Sequence, residues 1–211
     1  MDFGPPDEAD LLPLAAAGDE AAARELYSRY RGRLKRMVRL RLSRRLQGRV
    51  DDSDVLQEAY LDVARRLPEY ARDPRVPFFL WVRHLTGLKL AEIHRRHLGT
   101  QARAADREIS LHRGGLPAAD SVSLAAQLLG QLTTPSQAAV KAEVRLLVQE
   151  ALSSMDPIDR EVLALKHFEQ LSTSEIAEVL GLSKAGAGSR YLRAIKRLRE
   201  ILSRIPGFEE F

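Results

Sequence analysis

Three stretches of this 211-residue sequence carry the residue types from which chemistry is built. The first, "RVDDSDVLQEAYLDVA", gathers four carboxylates, Asp51, Asp52, Asp54 and Glu58. Asp54 and Glu58 are four residues apart, so on a helix they share a face. Carboxylates grouped in this way can hold Mg²⁺. A helical enzyme of that kind needs a second acidic cluster facing the first, and no comparable stretch follows. An acidic, partly apolar face suits the docking of a basic protein surface equally well. The second stretch, "GLSKAGAGSRYLRAIKRLREIL", sets Gly186 and Gly188 two residues apart, with Ser189 and Arg190 behind them. A phosphate-cradling loop requires four residues between its glycines, then Gly-Lys-Ser/Thr, and a buried strand before it. Here the glycines follow a helix and a turn, which leaves a basic amphipathic helix. Bare backbone at the start of such a helix would let a phosphate approach the outward-pointing N–H groups. The third stretch, "FFLWVRHLTGLKLAEIHRRHL", joins Trp81 to Arg83, His84, Lys89, His94, Arg95, Arg96 and His97. Aromatic platforms beside cations can hold unstacked single-stranded bases. Phe78 and Trp81 at a helix start serve a hydrophobic core just as readily.

These groups must be positioned by helices, because no stretch alternates apolar and polar residues long enough to suggest a sheet. From Ala9 to Leu46, apolar residues recur at helical steps through Leu26, Tyr30, Leu34, Met37 or Val38, and Leu42. A second helix opens near Ser53 and is expected to stop at Pro68, ahead of the breaker-rich "ARDPRVP". A third places Phe78, Trp81 or Val82, Leu85, Leu88 and Ile93 toward a core. Residues 99–136 change texture, with "HRGGLPAADSVS" and "LTTPS" and few large apolar side chains outside "LAAQLLGQL". That length is unusual for an internal loop, so the stretch reads as a linker, with a short helix around Leu124 to Leu132. The expectation is an all-α chain of two small helical domains, 8–98 and 137–205, joined by a flexible linker at 99–136.

The second domain reads as four helices. Asp156 is an N-cap, with Pro157 at the first helical position and Asp159 in the positive first turn. Ser172 and Glu175 have capping-box spacing, Ile176, Ala177, Val179 and Leu180 form an apolar face, and Gly181 ends that helix. Ser183 caps the last helix. This is the pattern of a helix-turn-helix. In the last helix Ala187, Tyr191, Ala194 or Ile195, and Leu198 form the inner stripe, while Arg190, Arg193, Lys196 and Arg197 fall outside it. An outward basic face is what phosphate neutralisation and groove contact require. An antiparallel helix pair with a solvated surface satisfies the same pattern without DNA.

Charge is distributed unevenly. The net charge is only +4, yet Arg24 to Arg49 holds eleven basic side chains against Glu25 alone. Arg190 to Arg204 holds six against Glu200. Separate basic patches suit a polyanion touched at more than one place. The chain has no cysteine, which excludes a disulfide frame, a thiolate metal site and a thiol nucleophile. No cofactor is called for. No run approaches a membrane span, and the acidic start "MDFGPPDEAD" lacks the order of a signal peptide, so a cytoplasmic protein is expected.

Taken together, "DDSDVLQEAYLDVARRLPEY…FFLWVRHLTGLKLAEIHRRH" resembles region 2 of bacterial sigma-70 factors. "ALSSMDPIDREVLALKHFEQLSTSEIAEVLGLSKAGAGSRYLRAIKRLREIL" resembles region 4 of the same family. Order and spacing match the small extracytoplasmic-function (group 4) type, and the linker resembles that of a planctomycete-type branch. The resemblance implies a non-enzymatic factor that binds core RNA polymerase, through the β′ clamp helices and the β flap, and promoter DNA. It also admits an anti-sigma factor as a partner. It implies core-polymerase binding by Asp54, Gln57 and Glu58, and melting and grip of the −10 element by Trp81, Lys89, Arg95 and Arg96. Recognition of the −35 element falls to Ser183, Lys184, Ser189, Arg190, Arg193 and Arg197, and the linker would thread the RNA-exit path. Leu88 and Glu92 stand where the family commonly has Asn and Asp. Gly186 and Gly188 stand where Thr and a basic residue are frequent, so a direct −35 contact from position 188 is lost. A stand-alone helix-turn-helix regulator is the alternative reading.

Overall fold

The computed structural model describes residues 7–43, 45–46, 48–98, 119–132 and 138–203, and among them every regular element is helical. They divide into two compact units. One takes residues up to Val38 and from Arg45 to Leu98; the other takes Arg39–Ser43 together with 119–203.

In the first unit the periodic stretch expected as one run is two helices, α1 (Glu8–Ala16) and α2 (Glu20–Arg41). Asp7 and Asp10 form a capping box on α1. Gly18 then takes φ +102°, a left-handed conformation that glycine adopts without strain. The Asp19 carboxylate accepts from the N–H groups of Ala21 and Ala22 at 2.9 and 3.0 Å and starts α2. Apolar periodicity continued across this break, which is why the pattern hid it.

Helix α3 (Asp52–Arg72) runs past Pro68 instead of stopping there. Pro68 is exposed, where water can take the carbonyl that it leaves unbonded, while Leu67 and Tyr70 on the other side are buried. Burial of that last turn outweighs the proline. The helix ends at Asp73, and α4 (Phe78–Leu98) returns against it. Phe78, Val82, Leu85, Leu90 and Ile93 are buried, but Leu88 is exposed rather than core. Tyr27 of α2 donates its buried hydroxyl to the Leu56 carbonyl of α3 at 2.9 Å. Burial pushes that phenol up to about 12.

In the second unit α5 (Ser121–Leu132) packs on α6 (Ala138–Ser153). Ala119, Leu124 and Ala125 share a core with Val144, Val148, Leu152, Leu163 and Leu198. The hydrophobic core of this unit thus begins well before residue 137, inside the stretch expected as linker. The rest of that stretch, 99–118 and 133–136, lies outside the described residues. Helix α7 (Pro157–Leu163) is capped by Asp156 and continues as a π-helical turn, Ala164–Phe168. Then come α8 (Thr173–Leu180), with the Ser172/Glu175 capping box in place, and α9 (Lys184–Leu202).

Candidate functional site

The four carboxylates at the start of α3 do not converge. Asp51 caps the helix, accepting from Ser53 N–H at 2.8 Å. Asp52 is buried and pairs with Lys35 Nζ of α2 at 3.2 Å. Two of the four are thus consumed in holding the fold, and among the described residues no group of three His, Asp or Glu side chains could hold a metal ion. Asp54 and Gln57 remain exposed, and among the described residues neither makes an ion pair or a side-chain hydrogen bond. They line one cleft of about 410 Å³ with Arg49, Val50, Glu58, Leu61, Ile93 and His97. Leu61 is 58% exposed, a large apolar side chain in a rim that holds two carboxylates beside Arg49 and His97. Such a rim with an apolar anchor can seat a basic, partly apolar partner.

Opposite, α4 carries the aromatic and basic group. The Trp81 ring stacks on Tyr70 at 4.5 Å and 24°, and Tyr70 is itself tied by its hydroxyl to the Val76 carbonyl. Trp81 is therefore half core and half surface, which joins the two uses its sequence position left open. Lys89 is not free. Its ammonium bridges Asp62 of α3 at 2.9 Å and Glu92 at 2.8 Å. Arg96 reaches the same Glu92 at 2.7 Å and Glu58 at 3.8 Å. Hydrogen bonds from Lys89 and Arg96 hold the Glu92 carboxyl below the usual carboxylate range, and the bond with Glu92 is the main cause raising Lys89. The result is a ladder of alternating sign, Asp62–Lys89–Glu92–Arg96–Glu58, laid across α3 and α4. Arg95 is exposed and has no such partner among the described residues. The spacing Lys89, Glu92, Arg96 was visible in the sequence. Asp62 was not identified, because its partner lies on another helix and only docking brings them together.

In the second unit Gly181 takes φ +63° at the end of α8, and Leu182 N–H returns to the Ala177 carbonyl at 2.9 Å. Ser183 caps α9, its hydroxyl accepting from Gly186 N–H at 3.0 Å. Lys184, Ser189, Arg193, Lys196 and Arg197 are exposed along one helix whose Ala187, Ala194 and Leu198 are buried. Arg197 pairs loosely with Glu200 at 3.5 Å. Arg190 differs from its neighbours: it donates to Asp159 at 2.9 Å and lies 3.6 Å from Asp156, both at the start of α7. It clamps α9 to α7 besides carrying charge. The missing methyls of the two glycines aim at the chain itself. A Cβ on Gly186 would meet Ser183 Oγ at 3.0 Å, and one on Gly188 would meet Thr173 Cγ2 at 4.0 Å. Close approach at Gly186 therefore serves the helix cap, which sequence spacing alone could not reveal.

Comparison with known proteins converges on these elements. Residues 145–198, which run from α6 to near the end of α9, match the family model described as Sigma-70, region 4. The chain is 28% identical over 186 residues to ECF RNA polymerase sigma factor SigD of Mycobacterium tuberculosis (strain ATCC 25618 / H37Rv), covering 88% of this chain and 79% of that protein. It is 28% identical over 196 residues to ECF RNA polymerase sigma factor ShbA of Streptomyces griseus subsp. griseus, covering 90% and 93%. Among solved structures it is similar to CnrH in complex with the cytosolic domain of CnrY, with a TM-score of 0.56 over 94% of this chain and 97% of that one. Sequence identity there is 23%, a likeness of fold.

Proposed function

We infer from its membership of the sigma-70 family, in the extracytoplasmic-function type, that this chain binds core RNA polymerase and directs it to promoters for transcription initiation. The observation that carries this reading is the coincidence of the region 4 match with a fully capped helix-turn-helix whose last helix exposes Lys184, Arg193, Lys196 and Arg197. The chain has no catalysis of its own in this reading, and it works in the cytoplasm where its polymerase is.

Residues 8–98 form the part that grips polymerase and the −10 element. Asp54, Gln57 and Glu58 dock on basic β′ clamp helices, with Leu61 as apolar anchor between the acids. Trp81, Lys89, Arg95 and Arg96 receive the opened strand, Trp81 by its exposed edge and the cations by phosphate contact. The second unit, α5 included, reads the −35 element through α9, and the residues between α4 and Ala119 link it to the first. Ser183 contributes by fixing the helix start, where N–H groups face a phosphate. Each part covers few base pairs, so their separate affinities become useful only when polymerase holds both in place.

Gel filtration with and without core polymerase tests the assignment. Co-elution with core is expected, and Asp54→Ala with Glu58→Ala should abolish it while the α-helical circular dichroism is kept. Duplex binding as a dimer without polymerase would instead mark a stand-alone helix-turn-helix regulator. For the −35 contact Arg193→Ala is the cleaner probe, because Arg190→Ala also removes the clamp to Asp159. Loss of −35-dependent transcription with core affinity intact is expected.

A further inference from the structure

The most exposed large apolar side chain among the described residues is Leu192, 67% open to solvent on α9. At about 100° per residue, Ala185, Ser189, Leu192 and Lys196 fall within about 60° of one another around the helix. That ridge lies opposite the buried Ala187, Ala194 and Leu198, on the side of α9 farthest from the core. Lys184 and Arg199 lie to one side of it, Arg193 and Arg197 to the other, and all four are exposed. Among the described residues Lys184, Arg193, Lys196 and Arg199 make no ion pair or side-chain hydrogen bond. No acid occurs from Lys184 to Arg199. The helix is held from behind: Ser183 caps its start, Arg190 donates to Asp159 at 2.9 Å, and Tyr191 meets His167 at 3.3 Å. None of these contacts uses the outward ridge, so Leu192 is presented on a fixed support with nothing of its own chain to cover it.

We propose that Leu192 is a specificity residue of α9, selecting a thymine in the −35 element by packing on its C5 methyl. The inference rests on the reading that α9 enters the major groove there, and adds which side chain chooses a base and which base it chooses. Thymine alone presents a methyl group in that groove. Leucine has no donor or acceptor, so it takes no part in the hydrogen-bond pattern that tells the other bases apart. Against an amino group of adenine or cytosine, or O6 of guanine, it would displace water and return no hydrogen bond. Against the methyl it buries apolar surface on both partners. Its neighbours on the ridge do not make the choice. Gly188 has no side chain, and a serine such as Ser189 bonds either kind of base edge. The flanking cations fix the kind of partner. Two phosphate backbones border a groove and supply counter-charge on both sides of such a ridge. An apolar protein surface over Leu192 would leave Lys184, Arg193 and Lys196 without it.

The test uses the full chain with core polymerase, which first selects its −35 sequence from duplexes randomised at that element. Each thymine of the selected element is then replaced singly by deoxyuridine, which lacks only the C5 methyl and pairs in the same way. Affinity is read by fluorescence anisotropy of the labelled duplex. One such replacement should weaken binding about fourfold, the effect of one buried methyl-sized group. Leu192→Ala should bind the thymine duplex at least that much more weakly and lose nothing further with deoxyuridine at that position. Leu192→Met keeps an apolar tip and should keep the sensitivity. Both variants should co-elute with core as the native chain does. Arg193→Ala should weaken binding to both duplexes and leave their ratio intact. A native chain with no methyl-sensitive thymine in the element overturns the proposal. So does Leu192→Ala with the native ratio of affinities, and so does its loss of core binding, which would make Leu192 a protein contact. If Arg193→Ala weakens binding while Leu192→Ala does not, the thymine contact alone is refuted. If neither weakens it, the groove reading of α9 falls too.

Discussion

Gly186 and Gly188 occupy the first turns of α9, where glycine is less favourable than alanine by up to about 1 kcal/mol. The two differ in what a methyl would meet. At Gly188 the nearest atom, Thr173 Cγ2, stands at ordinary contact distance, so Gly188→Ala should raise stability by about 0.5–1 kcal/mol. At Gly186 the methyl would crowd the hydroxyl that caps the helix, and the gain in propensity is offset by a weakened cap. Chemical denaturation of the two variants separates these cases, and equal gains at both positions would refute the capping explanation. The sequence showed the caps at Asp156, Ser172 and Ser183 because each depends on residues three or four apart in the chain. It did not show that Arg190 is bound to Asp159, thirty-one residues away, or that Lys89 is bound to Asp62. Local spacing places Arg190 on an outward basic face and Lys89 beside an aromatic, and only the packing of helices supplies their partners.

At the scale of elements, α7 does not end as an α-helix but widens into the π-helical turn Ala164–Phe168. That turn carries His167 against α9, with its Nε2 3.3 Å from the Tyr191 hydroxyl and the rings 5.7 Å apart. The residue stays largely open to solvent, yet partial desolvation of its ring, and secondarily the Lys166 charge, hold the imidazole below its ordinary value. A depressed histidine binds its proton less readily in the fold than in the unfolded chain. Its contribution to stability is present above the ordinary value of about 6.5 and is lost as pH falls toward the folded value. Titration of the five histidines by nuclear magnetic resonance, with the His167 signal identified by its absence in His167→Gln, should give a midpoint below that of a free imidazole. A midpoint at or above it would show that the contact with α9 does not desolvate the ring. Elements were legible where pattern and punctuation agreed, as in α4 and in the turn from α8 to α9. They were misread where burial overruled punctuation, at Pro68, and where glycine broke a continuing pattern, at Gly18. The core residues Ala119, Leu124 and Ala125 were hidden in a linker-like composition because small and sparse apolar residues gain weight only when α6 covers them.

Across the whole molecule, 33 basic and 29 acidic side chains leave little net charge, so the way they are shared out matters more than the sum. No described helix is long and apolar enough to cross a membrane. The ladder from Asp62 through Lys89, Glu92 and Arg96 to Glu58 bears on how the chain competes with salt. A cation that meets a phosphate from bulk water releases an ion from the nucleic acid, with a slope near −0.7 per contact for a single strand. Lys89 and Arg96 must first leave carboxylates, which then gather small cations of their own. The free chain is in effect its own counterion atmosphere over this face. Its single-strand affinity should therefore fall less steeply with added salt than a count of its lysines and arginines would give. Glu92→Gln should steepen the slope and tighten binding at low salt, and parallel salt titrations of the two proteins would show it. Equal slopes would mean that the rungs are already open in solution. A protein built this way carries an internal reserve of sign, drawn down by whichever polymer first takes the acids from the bases.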